Sequence, residues 1–468
     1  MNPSDEPIDG KSMIEMFGAK HRMSEYALDD MIKCMNHIQS NNVVNLPSSR
    51  YMLRKNVLDN VPIKYTKRYY SFCCNIVRKE QMCQCPIFLR QDSNTIITFD
   101  LNESLHYLVR TNLKHIKNVK RVPEDAGEVW SDITEGSAYQ NRLNYIDEDV
   151  LPLSLILSYD DANMVQSHSY KLCPNSFTLA EIPLPERAFD QNIMTAGIWF
   201  GPDAPNVSVF WKETFLKQYE ASRNTYFEVM DGDEHFYFDI EILCVVMDKV
   251  AKAKTLNMQA PGGYFACAHC FQKGRSIEVG NGSARIFDHP SNASHKTKTN
   301  IQQCVTLLES RRRLGNHVRH IKGIKGRSFF SSVIDISFQV PCDIMHSMFL
   351  GTCRHILTDV TIIKPSWYEQ INQKLRVIKV PTGFTRKPMN MKMLKMWKAS
   401  EFRNFFLHFY IVLRNVVSNP HFVMITSLSA ILKIITCWRL TENDLREAEK
   451  LTDTFLTLVP SVFGEPHM

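Results

Sequence analysis

The chain lacks a long apolar run. Its most apolar stretches, 405–413 and 425–438, are interrupted by Arg414 or Lys433 and fall short of the roughly 20 residues a membrane span needs. Residues 1–20 are polar and acidic near the start, so no secretory leader is expected. No internal repeat or low-complexity tract is present, so neither a repeat array nor a biased linker accounts for the length. No HExxH-like helix occurs, which disfavours a zinc hydrolase working through a Cys pair and His346. A strong excess of one charge is missing too. The 55 Lys and Arg stand against 49 Asp and Glu, and a net +6 argues for nucleic acid only where it is concentrated.

What is present is globular. With 468 residues the chain exceeds one ordinary core, so two or more domains, or one domain with a large insertion, are expected. Apolar residues at 44% and charged residues at 22% exclude a mostly disordered chain. The thirteen cysteines are an odd number, and without a leader a soluble protein in a reducing compartment is expected, where close Cys pairs read as metal ligands before disulfides.

Along the chain, residues 1–65 form a polar leader with one amphipathic helix near 24–38, and 66–130 a region holding Cys73, Cys74, Cys83 and Cys85. That cluster is open between a degenerate zinc site and plain packing. Residues 101–113 read as a helix. Across 131–260 the pattern is strand-like: 151–159, 169–173, 177–182, 194–200 and 236–247 are apolar runs, most of them separated by Pro and Asn turn signals, before a helix at 251–258. Residues 261–395 are Gly- and Ser-rich, basic and poor in long periodic segments, and a helical part follows from 396 to 468. This order predicts a mixed α/β core split by an insertion.

Asp160 and Asp248 each end a strand-like run. On neighbouring strands two such carboxylates meet at one sheet edge, where a divalent cation offsets their repulsion. The alternative is that each ends a strand or caps a helix, and Asp248 suits an N-cap. Glu401 falls four residues after Trp397 and four before Phe405, on the apolar stripe, where a carboxylate needs a partner, a proton or a metal. Its alternative is an early-turn Glu favoured by the helix dipole. Two strand-end Asp and one inward Glu suit two-metal phosphodiester chemistry with Mg²⁺ or Mn²⁺.

Cys267-Ala-His-Cys270 has the spacing of a structural Zn²⁺ knuckle, with two further ligands to be found among His269, His289, His295 and the later Cys342, Asp343 and His346. His346 is the candidate third ligand. A free buried Cys pair is the other reading. Between 296 and 327 nine cations, among them Arg311, Arg312, Arg313, Lys322, Lys325 and Arg327, face only Glu309, a local +8 suited to DNA phosphates. A solvated face is the alternative.

These elements in this order resemble the CACTA-class (En/Spm-type) transposases and proteins derived from them, from about Asp132 to the C-terminus. Asp132-Ile…Gly136-Ser-Ala-Tyr139 is similar to the family's entry motif, Asp160-Asp-Ala-Asn…Ser167…Pro174 to its first acidic motif, and Ile198-Trp-Phe-Gly201 to the strand and turn that follow. Cys244-Val-Val-Met-Asp248…Asn257-Met258 is close to the second acidic motif. Gly263-Tyr-Phe-Ala-Cys267-Ala-His-Cys270, Ile321-Lys-Gly-Ile-Lys-Gly326, Asp343-Ile-Met-His346…Leu350-Gly351 and Trp397-Lys-Ala-Ser-Glu401-Phe-Arg403 complete the series. Asp161, Cys173 and Val250 stand where the family has Gly, Trp and Pro, and relatives continue into further helices beyond 468.

The resemblance implies an α/β fold: an RNase H-like mixed-sheet core interrupted by a zinc-knuckle and basic insertion, with a helical C-terminal part completing the core. It implies a DDE triad of Asp160 (or Asp161), Asp248 and Glu401, nuclear location (or cytoplasmic, for a domesticated or inactive derivative), and a homo-oligomer for the active form. The expected activity is metal-dependent cleavage and strand transfer at transposon ends and target DNA. The alternative is a domesticated or truncated derivative that binds DNA or protein without catalysis.

Overall fold

The computed structural model describes residues 64–79, 94–119, 129–160, 162–165, 168–223, 226–279, 282–288, 292–380, 384, 387–388, 390 and 391–463. The expected helix at 24–38, Cys83, Cys85, Asp161, Ser167 and His289 lie outside them. The chain divides into residues 1–65 and 66–468, and the second unit is described below.

The architecture is mixed α/β, with one large mixed sheet and C-terminal helices. The strands are β1 (Tyr65–Ser71), β2 (Ile76–Arg78), β3 (Asn94–Phe99), β4 (Val129–Trp130), β5 (Val150–Tyr159), β6 (Ala162–Val165), β7 (His168–Leu179), β8 (Met194–Gly201), β9 (Phe227–Asp231), β10 (Glu234–Met247), β11 (Arg275–Val279), β12 (Gly282–Ile286) and β13 (Leu440–Thr441). Nine of them form the main sheet in the order β2-β1-β3-β8-β7-β5-β10-β9, with β6 on β7. Strands β3, β8, β7 and β5 pair antiparallel in turn, whereas β5 and β10 are parallel. The apolar runs of β5 and β10 explain their central place, because Leu153, Leu155, Leu157, Ile242 and Val245 are all fully buried.

The helices are α1 (Leu101–Lys117), α2 (Ser137–Leu143), α3 (Val207–Trp211), α4 (Lys217–Ser222), α5 (Lys249–Thr255), α6 (Lys298–Arg313), α7 (Arg354–Thr358), α8 (Tyr368–Val377), α9 (Ala399–Asn404), α10 (Asn419–Ile435) and α11 (Glu442–Phe463). A π-helical stretch, Lys212–Leu216, joins α3 to α4, and another, Met345–Cys353, leads into α7. Asp100 starts α1 by accepting the Glu103 N–H at 3.0 Å, and Leu105, Leu108, Val109 and Ile116 of that helix enter the sheet core.

Two features differ from the sequence reading. The runs at 169–173 and 177–182 belong largely to one strand, β7, which passes through Pro174 and absorbs the irregularity as a register shift between Asn175 and Ser176. The stretch 261–395 contains the 16-residue α6, opened by a capping box between Thr297 and Asn300.

The packing divides near residue 345. Ile301, Cys304, Val305, Ile324, Phe330 and Val340 join the core around the sheet. A second core, made of residues between Phe349 and Phe455, gathers Trp397, Phe402, Phe405 and Met424. The C-terminal helices thus bury their apolar faces mainly against one another. A fully buried Phe such as Phe402 contributes about 1.5–3 kcal/mol.

Candidate active site and metal centre

The site begins with register. Tyr159 of β5 lies opposite Met247 of the parallel β10, so Asp160 and Asp248, the next residues, leave neighbouring strands at the same sheet edge. Asp160 is exposed and Asp248 half-buried. Asp248 also caps α5, its Oδ1 accepting the Ala251 N–H at 2.6 Å. The cap occupies one oxygen of the carboxylate, so capping and cation binding are compatible.

Glu401 is buried, at 5% exposure, among the aromatic side chains of the second core. Its Oε2 accepts the Lys398 N–H at 2.8 Å across the start of α9. The early-turn role therefore accounts for this carboxylate. Among the described residues no group of three or more His, Cys, Asp or Glu side chains is arranged to hold a metal ion. Asp160, Asp248 and Glu401 are thus not gathered as a triad there, nor are Cys267, Cys270 and His346 gathered as a ligand set.

Cys267 and Cys270 are both half-buried, in a loop after α5. The His269 N–H points at Cys267 Sγ at 3.4 Å, and Cys270 bridges to His295 through the backbone. Burial, with Cys267 beside it, pushes the Cys270 thiol above its usual range. Two thiols are half of what tetrahedral Zn²⁺ requires.

Two buried lysines border this loop. Lys296, 3% exposed, donates from Nζ to Cys267 O. Lys252, 6% exposed, lies on α5 and donates to Pro341 O at 2.5 Å and Val340 O at 3.3 Å. Burial pushes both ammonium groups down, opposed by the field of Cys342, Asp343 and Cys267 at Lys252 and of Cys267 at Lys296. Helix α5 thus carries Asp248 at its start and, one turn on, a lysine tied to the segment that leads into Asp343. His346 is engaged locally: its Nδ1 lies 2.5 Å from Asp343 Oδ2, while Asp343 Oδ1 accepts the Met345 N–H at 2.8 Å.

The cations of the basic segment have different local settings. Arg311, Arg312 and Arg313 form the last turn of α6, where cations suit the helix dipole. Arg312 folds back and donates to the carbonyls of Val318, Arg319 and Lys325, each at 3.2 Å. Lys322, at φ +45°, sits 5.5 Å from the Phe271 ring centre. Gly323 is required by its φ of +83° and by close approach, because an added Cβ would meet Phe265 O at 2.4 Å. Lys325 and Arg327 reach a separate cleft beside the end of α5.

Lys296, counted among the nine cations suited to DNA phosphates, is instead 3% exposed and spent on Cys267 O. Lys252 gave no signal in the sequence, since a buried Lys carries no period, and α6 was overlooked although Thr297 and Asn300 stand ahead of Ile301, Cys304, Val305 and Leu308. No protein-family model matches the chain, and no curated protein matches it.

Proposed function

We propose that this chain is a DDE-type, transposase-like protein that acts on DNA through an RNase H-like core. Three strands, β5, β7 and β8, pair antiparallel, a helical stretch follows, and β10 then returns parallel to β5. That path supports the RNase H-like reading. The observation that carries the functional reading is the Tyr159–Met247 register, which sets Asp160 and Asp248 side by side. A divalent cation between two such carboxylates offsets their repulsion.

Mg²⁺ or Mn²⁺ held by Asp160 and Asp248 would supply activation of the attacking water or 3′-hydroxyl and stabilisation of the leaving oxygen. The chain's own task is to hold the two carboxylates at one sheet edge. The Glu401 carboxylate serves its own helix start, accepting the Lys398 N–H. Transposon ends and target DNA are the proposed partners, a homo-oligomer the working form and the nucleus the place of action. Zn²⁺ at Cys267 and Cys270 would brace the loop after α5.

A second reading is favoured by the cap at Glu401: a transposase-derived protein that binds DNA or protein without cutting DNA. Mn²⁺-dependent nicking of supercoiled plasmid separates the two. Nicking that is lost in both Asp160→Asn and Asp248→Asn supports catalysis. Equal nicking by wild type and either variant sinks the assignment, and DNA binding without nicking favours the second reading.

A further inference from the structure

Beside the end of α5 lies a cleft of about 590 Å³ lined by Lys212, Lys254, Lys325 and Arg327 and by no acid. The four cations come from three separate segments: the π-helical stretch after α3, the last turn of α5, and the loop beyond α6. Like charges gathered from distant parts of a chain repel one another, and an anionic ligand offsets that cost. The loop is fixed without spending the cations. Ser328 Oγ donates to Thr255 O at 2.9 Å, the Lys325 N–H donates to Asn257 O at 2.9 Å, and Asn257 Nδ2 reaches Arg327 O at 3.4 Å.

A second observation is independent of charge. Thr255 lines the same cleft, is 0% exposed, and its hydroxyl has no hydrogen-bond partner among the described residues. A buried hydroxyl left unsatisfied is costly, and a ligand oxygen would satisfy it. Ser208 adds another hydroxyl to the lining.

We propose that this cleft is a phosphate-binding site, seating a backbone phosphodiester of the DNA whose binding the proposed function requires. The shared chemistry is a phosphate group held by Lys212, Lys254, Lys325 and Arg327 and hydrogen-bonded by Thr255. The inference rests on the DNA reading for the source of that phosphate and on the cleft alone for its chemistry.

The test uses the full chain, with the wild-type melting temperature and circular dichroism as the check on folding. Lys212→Glu/Lys254→Glu changes two exposed side chains, and Thr255→Val keeps the shape while removing the hydroxyl. Binding of a labelled duplex is measured by anisotropy from about 50 to 200 mM salt, where each phosphate contact contributes about 0.9 to the slope of log K against log salt. The double variant is expected to lose at least tenfold in affinity and about one unit of slope. Thr255→Val is expected to lose affinity with the slope unchanged, because a hydroxyl releases no counterion. Inorganic phosphate and a nucleoside monophosphate are titrated in parallel by calorimetry. Duplex binding that neither variant alters overturns the site and leaves the DNA reading standing. Phosphate binding that the double variant abolishes, with no duplex binding by wild type, upholds the site for a small ligand and removes the DNA reading. Binding of neither overturns both.

Discussion

The guanidinium of Arg187 grips the carboxylate of Asp132 as a fork, Nη1 to Oδ1 and Nη2 to Oδ2 both at 2.8 Å. The side chains are only 9% and 17% exposed, and the same guanidinium also donates to the carbonyls of Ile182 and Ala180. Removing one partner leaves a nearly buried charge alone. Arg187→Ala is expected to cost about 3–5 kcal/mol in chemical denaturation. Arg187→Lys keeps the charge without the fork and should fall between the two. A loss below about 1 kcal/mol would show that the fork is no brace.

Glu181 gives a pH signature. Its carboxyl is buried under β5, accepts the Ser154 N–H at 3.0 and 3.1 Å, and receives the Tyr139 hydroxyl at 3.0 Å. Burial pushes it above the usual carboxylate range, against the pull of nearby Arg142. The folded state therefore holds this proton more tightly than the unfolded chain. Its contribution to stability is greatest below the unfolded value of 4.5 and shrinks as pH rises toward the folded value. Glu181→Gln removes that titration, so the variant's melting temperature relative to wild type should rise from pH 5 to pH 8. A falling difference would reverse the sign.

Asp248 has two separable roles. Asp248→Ala loses the bond to the Ala251 N–H and should cost about 0.5–2 kcal/mol of stability. Asp248→Asn retains an acceptor for the cap and removes the charge. It should therefore keep wild-type stability while weakening Mn²⁺ binding, read by electron paramagnetic resonance. Equal Mn²⁺ binding by wild type and Asp248→Asn would leave capping as the residue's whole role.

The proposed Zn²⁺ site at Cys267 and Cys270 predicts a metal content. Purified protein should carry one Zn²⁺, lost in Cys267→Ser and Cys270→Ser and removed by chelator with a fall in melting temperature. Zinc-free protein with unchanged melting in both variants would return the pair to packing.

Much of the sheet was legible in the sequence because continuous apolar runs ending in polar residues are what buried strands look like. β5, β8 and β10 follow that rule, and the strand-end place of Asp160 and Asp248 came with them. Pro174 and Asn175 read as a turn because no local signal announces that Asn175 Nδ2 finds Thr214 Oγ1 at 2.8 Å inside the core. The apolar stripe position of Glu401 correctly signalled burial, yet periodicity is blind to which core a helix joins. The cleft was half legible: Lys325 and Arg327 lie in the basic run that the sequence singles out, whereas Lys212 and Lys254 join them only through tertiary folding.

Gln339 gives the central strand a late dependency. β10 has a register shift between Ile242 and Cys244, and there Gln339 Nε2 donates to Ile242 O at 2.6 Å while the Val245 N–H donates to Gln339 O at 2.9 Å. The clasp is 97 residues downstream of Ile242. At a synthesis rate of about 5–20 residues per second, the ribosome delivers it roughly 5–20 s after the strand itself. For that interval the nascent sheet, whose strands all precede residue 248, keeps an unclasped irregularity beside the strand end next to Asp248.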